Sequence, residues 1–223
     1  MVETKENILL KAQTLFLRYG IKSVTMDDVA RELNISKKTL YQFYENKADL
    51  LNSITELNEK KDRAAMTRIL SESKDAIDEM FGIARYVTSE IMQIISPTAL
   101  YDLQKYYPEI WAKFEEFNAR FIYEHIKNNL ERGIREGLYR ENISADIIAK
   151  LYVGKTQCVV DEDMFPSRGY DKLTLFKQYF ACVDDWIFRK NSNSPKTIRL
   201  FELFGKRRGI IIIPAVLPIF RWY

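Results

Sequence analysis

Apolar residues recur at helical spacing along most of the chain, in segments bounded by glycine, proline or capping residues. Over residues 5 to 19, Ile8, Ala12, Leu15, Phe16 and Tyr19 fall on one face of a helix that Gly20 ends. Thr25 is placed as an N-cap, with Asp28 three residues on to reach back in a capping box. Met26, Val29, Ala30 and Leu33 then make a short amphipathic helix, and Asn34 tolerates the left-handed turn that follows. Ser36 caps a second short helix that buries Leu40 and either Phe43 or Tyr44. Asn46 starts a third with Leu50, Leu51, Ile54 and Leu57 inward, and no Pro or Gly interrupts residues 45 to 81. That helix is therefore expected to run from the first unit into the next without a flexible linker.

Beyond it, Met80, Ala84, Val87, Ile91 and Ile94 are spaced for a helix over 75 to 95, stopped by Ser96-Pro97. A short helix over 98 to 106 follows, and Pro108 opens a long one reaching Gly137, with Trp111, Phe114, Phe117 and Phe121 in an aromatic row. Ile147, Ile148, Leu151, Tyr152, Cys158 and Val159 line a helix from Ser144, in which Gly154 allows close approach of a neighbour. The segment 172 to 189 carries two adjoining stripes, Leu173, Phe176, Phe180, Val183 and Ile187 beside Leu175, Tyr179, Cys182 and Trp186. The fold class is all-α, divided into an N-terminal three-helix domain (1–47), a larger helical domain (48–205) and an atypical tail (206–223). The tail, GIIIIPAVLPIFRWY, is β-prone, and no function is read from it.

Two short helices joined by so tight a turn read as a helix-turn-helix, whose second helix can enter the major groove of DNA. The polar face left outside suits that task. Lys37 and Lys38 neutralise phosphates, the Thr39 and Tyr41 hydroxyls bond phosphate oxygens, and Gln42 can address a base edge. Thr25, heading the first helix of the pair, joins these candidate contacts. Lys47 follows the cap Asn46, where the macrodipole disfavours a cation unless a phosphate shares the site, so it too is a candidate. The plainer alternative is a solvated helix pair inside a larger bundle; Tyr41, an aromatic on a face that packing does not need, speaks against it.

The segment ILLKAQTLFLRYGIKSVTMDDVARELNISKKTLYQFYENKADLL resembles the DNA-binding domain of the TetR/AcrR family of bacterial transcriptional regulators. The cues are LF…YG, T…DVA, S…TLY, F-Y and NK..LL, within the first 50 residues, about a quarter of the chain. In that family the position of Phe43 is commonly a DNA-contacting His or Tyr and that of Tyr44 commonly Phe, so no contact is carried onto Phe43. The position of Asn34 is often Gly, in keeping with a left-handed turn. The resemblance implies a homodimer on a palindromic operator, most simply a repressor released by an unknown small-molecule effector held in the C-terminal helical domain.

The chain has 223 residues, of which 47% are hydrophobic and 29% charged, the composition of a soluble globular protein. A net charge of +3 is too small for a polycation, so double-stranded DNA must be met by a local patch, and a modest patch favours a dimer that doubles it. Cys158 and Cys182 are read as a reduced, buried pair, and with no signal peptide or membrane span the location expected is cytoplasmic. An enzyme is the rival class. The single histidine, His125, comes with no metal-ligand spacing, glycine-rich phosphate loop or nucleophile motif, and no cofactor or metal is expected. The run Asp161-Glu162-Asp163 reads as a solvated helix end, because consecutive residues of a helix do not share a face.

The aromatic row has two readings: filler of a bundle core, or lining of a mostly apolar pocket. As a pocket, its candidates are Met80, Tyr86, Tyr101, Trp111, Phe114, Phe117, Phe121 and Gln157. The wide apolar face of 172 to 189 exceeds what one core needs, so with 144 to 165 it is expected to pair two subunits in a four-helix bundle. Tyr152, Val159, Phe176, Tyr179, Phe180, Val183, Trp186 and Ile187 are the candidate interface. A regulator of the same fold that answers to no effector, and more remotely an all-helical enzyme, are the alternatives.

Overall fold

The structure is a computed structural model that describes residues 5–91, 96–161, 163–166, 168–171, 174–176 and 178–179. Eight α-helices have both ends among them: α1 (Lys5–Tyr19), α2 (Met26–Glu32), α3 (Lys37–Phe43), α4 (Lys47–Glu72), α5 (Ala76–Tyr86), α6 (Pro97–Tyr106), α7 (Pro108–Arg135) and α8 (Ala145–Val160). The expectation of an all-α chain holds. The tail from 206 and most of the expected last helix, including Phe180, Val183, Trp186 and Ile187, lie outside the described residues.

Local chemistry sets the boundaries. Thr25 and Asp28 form the expected reciprocal capping box, while Ser36 and Asn46 cap α3 and α4 through Thr39 N and Asp49 N. Asn34 has φ 55°, which gives the short left-handed turn between α2 and α3. The helix expected over 75 to 95 is α5 followed by a π-turn at Val87–Ile91. There the Thr88 hydroxyl donates to Ala84 O (2.8 Å) and that of Ser89 to Arg85 O (2.7 Å), competing with the regular ladder.

Two separate cores form. The first holds Ile8, Phe16, Leu33, Leu40, Tyr44 and Leu50 of the N-terminal helices together with Ala99, Leu103 and Ile110 of α6 and α7. The second packs Ile77, Met80, Phe81, Ile126, Leu130, Tyr139, Tyr152 and Val159 around α5, α7 and α8, with Phe176 and Tyr179 closing it. A boundary at residue 47 is therefore not a packing boundary. The unbroken α4 crosses it, as expected, and α6 and α7 supply part of the first core. Beside the second core, a partly buried polar set ties the start of α5 to α7. Asn129 donates to Ala76 O (2.9 Å), and Glu136 accepts from Ala76 N (2.8 Å). Arg132 bridges Glu79 (2.9 Å) and Glu136 (2.7 Å).

Candidate nucleic-acid interface

Leu40 is fully buried in α3 and Tyr44 nearly so, and these two side chains fix which face of the helix is turned outward. Burial pushes the Tyr44 phenol above its ordinary pKa. Lys37, Lys38, Tyr41 and Gln42 are left exposed, Tyr41 at 42%. The Lys37 ammonium pairs with Asp27 Oδ1 of α2 at 2.8 Å and lies 6.0 Å from the Tyr41 ring centroid. The hydrogen bond to Asp27 holds its pKa above the ordinary lysine value. Lys38 has no ion pair or hydrogen bond among the described residues and carries its charge unopposed. Thr39 is half-buried, with its hydroxyl 2.7 Å from that of Ser36. Thr25 is exposed, but its hydroxyl donates to Asp28 Oδ2 at 2.6 Å, and the Thr25 bonds hold the Asp28 carboxyl below its ordinary pKa. Phe43 packs against the head core, in line with leaving it off the contact list.

Lys47 departs from expectation. Its ammonium does not project toward solvent beyond the start of α4. It donates to Ile21 O and to Val24 O (2.5 Å) on the α1–α2 turn and sits 5.6 Å from the Phe16 ring centroid. Partial burial lowers its pKa. The unfavourable place in the first turn is offset by carbonyl oxygens of the chain itself. At the helix end Asn46 Oδ1 takes Asp49 N (2.9 Å) and Asp49 Oδ2 takes Glu45 N (3.0 Å). Phosphate is not needed to account for Lys47.

The effector candidates do not converge on one site. Met80 is buried in the second core, whereas Trp111 packs against the first. Tyr101 is 53% exposed with its hydroxyl on Lys105 Nζ (2.8 Å), and Gln157 is exposed. These four stand on four different helices, and the described residues do not bring them to one site. Between the cores, Phe117 and Phe121 stack at 5.2 Å with Arg63 over them at 5.0 and 5.9 Å, and Trp111 and Phe114 pair at 5.6 Å. Nearby on α4 and α5, the Tyr86 hydroxyl donates to Asp62 Oδ1 at 2.7 Å. His125 sits 4.2 Å from the Phe121 ring with Nδ1 at 2.8 Å from Phe121 O, a structural arrangement.

Four of the residues expected at the dimer interface are turned inward. Tyr152, Val159, Phe176 and Tyr179 are 3–7% exposed and packed inside the protomer's own core. The outward stripe of α8 is Ile147 (58% exposed), Leu151 (48%), Gly154 and Cys158, the last exposed where a buried thiol was expected. Among the described residues nothing lies within 4 Å of a Cβ built on Gly154, so its expected close neighbour is not one of them.

The head matches the family described as bacterial regulatory proteins, tetR family, over residues 8–54. The HTH-type transcriptional regulator YhgD of Bacillus subtilis (strain 168) is 30% identical over 68% of this chain and 82% of its own length. The chain belongs to the TetR family. It is a transcriptional regulator. The HTH-type transcriptional repressor KstR2 of Rhodococcus jostii (strain RHA1) is 21% identical over 78% of this chain and 86% of that relative. Among solved structures, a TetR transcription regulator from Haloarcula marismortui superposes with a TM-score of 0.69 at 16% identity, covering 82% of this chain and 97% of that one. At that identity the likeness shows the fold alone. No helix among the described residues is long and apolar enough to cross a membrane.

Asp102 was not foreseen. It is a buried carboxylate on α6 whose Oδ2 accepts Lys22 N at 2.8 Å, eighty positions away in sequence. The residues between hold no pattern that announces it.

Proposed function

We propose that this TetR-family chain is a cytoplasmic, homodimeric repressor. It reads a palindromic operator with α3 and is released by a small molecule bound in the helical domain. The observation that carries the reading is the outward face of α3. Lys37, Lys38, Tyr41 and Gln42 stand exposed on a helix anchored by the buried Leu40, a pattern suited to a major groove. Lys38 and Lys37 supply phosphate neutralisation, Tyr41 a hydroxyl to the backbone, and Gln42 base readout. Thr25 and Thr39, whose hydroxyls serve caps, contribute through the α2 and α3 starts they order.

Repression is the activity named for the Rhodococcus relative, and the direction of control is carried from it. The subunits pair along the α8 stripe of Ile147, Leu151, Gly154 and Cys158. For the effector, the ground is the polar and aromatic seam between the two cores, at Asp62, Tyr86, Phe114, Phe117 and Phe121. These side chains belong to neither packed core.

The test begins by selecting duplexes from a random pool with the purified protein. Fluorescence anisotropy then measures affinity and stoichiometry on the selected site. Two subunits per palindrome, and loss of affinity for Gln42→Ala confined to particular base positions, are expected. A protein that enriches no sequence, or whose Gln42→Ala variant keeps every base preference, contradicts the reading.

A further inference from the structure

The α1–α2 turn, residues 20 to 24, is gripped from two directions by groups outside the helix-turn-helix. From α4, the Lys47 ammonium holds the carbonyls of Ile21 and Val24. From α6, the Asp102 carboxylate takes the amide of Lys22 at 2.8 Å. Gly20 makes the second contact possible. It has φ +83°, and a Cβ there would stand 3.0 Å from Asp102 Oδ2 and 3.2 Å from Thr98 Cγ2. Asp102 is 6% exposed, and its neighbours Ala99 and Leu103 lie in the same core as the head helices, so α6 is seated on the head rather than brushing it. A buried carboxylate is costly unless charge-assisted hydrogen bonds compensate it, and here a backbone N–H does so. The residue following the turn is Thr25, the cap of α2, and α2 leads through Asn34 into α3. The place of this turn therefore decides the place of both helices.

We infer that Asp102 is a positioning residue for DNA recognition: through the Lys22 amide it fixes the α1–α2 turn, and with it the pose in which α2 and α3 meet the duplex. It touches no nucleotide itself. The inference rests on the DNA-reading role of α3 proposed above. It adds a connection between the helical domain and the head that does not run along α4. A displacement of α6 would reach the recognition helix through this hydrogen bond as well as through the packing of Ala99 and Leu103.

The test uses the full chain and the duplex selected by wild type, with a scrambled duplex for non-specific binding. Asp102→Ala removes the acceptor. Operator affinity is expected to fall on the order of ten-fold, the loss one mismatched base pair causes. Scrambled-duplex affinity and the slope of log K against log salt should stay at wild-type values, since no phosphate contact is lost. Asp102→Asn keeps an oxygen at the same reach and is expected to restore operator affinity to within about three-fold of wild type. If the alanine variant melts below the assay temperature, Asp102→Glu serves in its place, retaining charge while moving the oxygens one methylene, with the same loss expected.

Wild-type operator affinity in the alanine or glutamate variant overturns the inference. So does a salt slope that falls with the affinity, or an asparagine variant as weak as the alanine. If wild type itself enriches no duplex, the underlying reading of α3 fails instead. That outcome is distinct, because it precedes any substitution.

Discussion

The Tyr86 hydroxyl donates to Asp62 Oδ1 at 2.7 Å, joining α5 to the middle of α4 between the two cores. Burial pushes the Asp62 carboxyl above its ordinary value of 3.8, and the Tyr86 bond offsets this only in part. A carboxyl with a raised folded pKa holds its proton more tightly in the folded than in the unfolded chain. Stability therefore falls as pH rises from the ordinary value through the raised one, and stays lower above it. Asp62→Asn keeps an acceptor for Tyr86 and cannot ionise. Its Tm at pH 7 is expected to rise on the order of 2–4 °C, the shift about 1 kcal/mol gives in a chain of this size, because solvent still screens part of the group. The gain should vanish when both proteins are melted below pH 3.8. A lower Tm for the variant at pH 7 would mean that the ionised carboxylate contributes to stability.

Lys37 and Lys38 are adjacent cations in different states, which gives opposed expectations for substitutions around them. Lys38 has no partner among the described residues, whereas Lys37 is paired with Asp27. In a dimer, Lys38→Ala removes two phosphate contacts, so the slope of log K against log salt is expected to drop by about 2. Asp27→Asn works the other way. It frees the Lys37 ammonium and removes a carboxylate from the DNA-facing side, so affinity should rise, most visibly at low salt. Titrations of the three proteins on one duplex across a salt series check both. An unchanged slope for Lys38→Ala would remove that lysine from the interface.

Caps and turns of the head were legible in the sequence because each is a local agreement among residues three or four apart. Thr25 with Asp28, Ser36 with Thr39, Asn46 with Asp49, and the left-handed Asn34 all need only a few neighbours. The outward face of α3 followed from them. The partners of Lys47 were not legible, because its carbonyl acceptors, on Ile21 and Val24, are fixed by tertiary packing that helix electrostatics does not reveal. On α8, Ile147, Leu151 and Cys158 alternate with Ile148, Tyr152 and Val159, two apolar stripes of similar strength. Periodicity shows that both exist and cannot say which one the protomer keeps for itself. The aromatic row of α7 divides for a related reason. One helix passes both cores, and Trp111 belongs to one of them while Phe117 lies between.

Gly133 and Tyr139 form a pair whose fit is tight enough to predict. A Cβ on Gly133 would stand 2.2 Å from Tyr139 Cδ2, and the tyrosine is fully buried. Tyr139 is brought there by the end of α7, where Gly137 at φ +70° turns the chain and Tyr139 N bonds Gly133 O at 3.1 Å. Its hydroxyl lies 2.9 Å from both Ala76 O and Asn129 Oδ1. Gly133→Ala must displace a ring held at both ends, so the cost is expected at or above the roughly 1–3 kcal/mol of core overpacking. Tyr139→Phe keeps the shape and leaves buried polar atoms short of a donor, at about 1–3 kcal/mol. Urea unfolding of each variant, read against wild type at constant m, gives both numbers. A neutral Gly133→Ala would show that the ring can move.

The proposed dimer face can be separated from the protomer core by charge. Leu151 is 48% exposed and Tyr152, its neighbour in sequence about 100° further round α8, is 6% exposed. A glutamate at position 151 meets solvent in an isolated subunit, so Leu151→Glu should leave helix content and folding intact. In a pair of α8 helices the same side chain would bury two like charges against apolar partners, a cost no local rearrangement offsets. The variant is therefore expected to sediment as a folded monomer at micromolar concentration. Half the phosphate contacts go with the partner, so operator affinity and salt slope should fall together. Tyr152→Glu puts its charge into the second core and should instead lower the unfolding midpoint whatever the oligomeric state. A Leu151→Glu protein that still sediments as a dimer would move the interface off this stripe, and a Tyr152→Glu protein that is monomeric yet fully stable would restore the inner face as the contact.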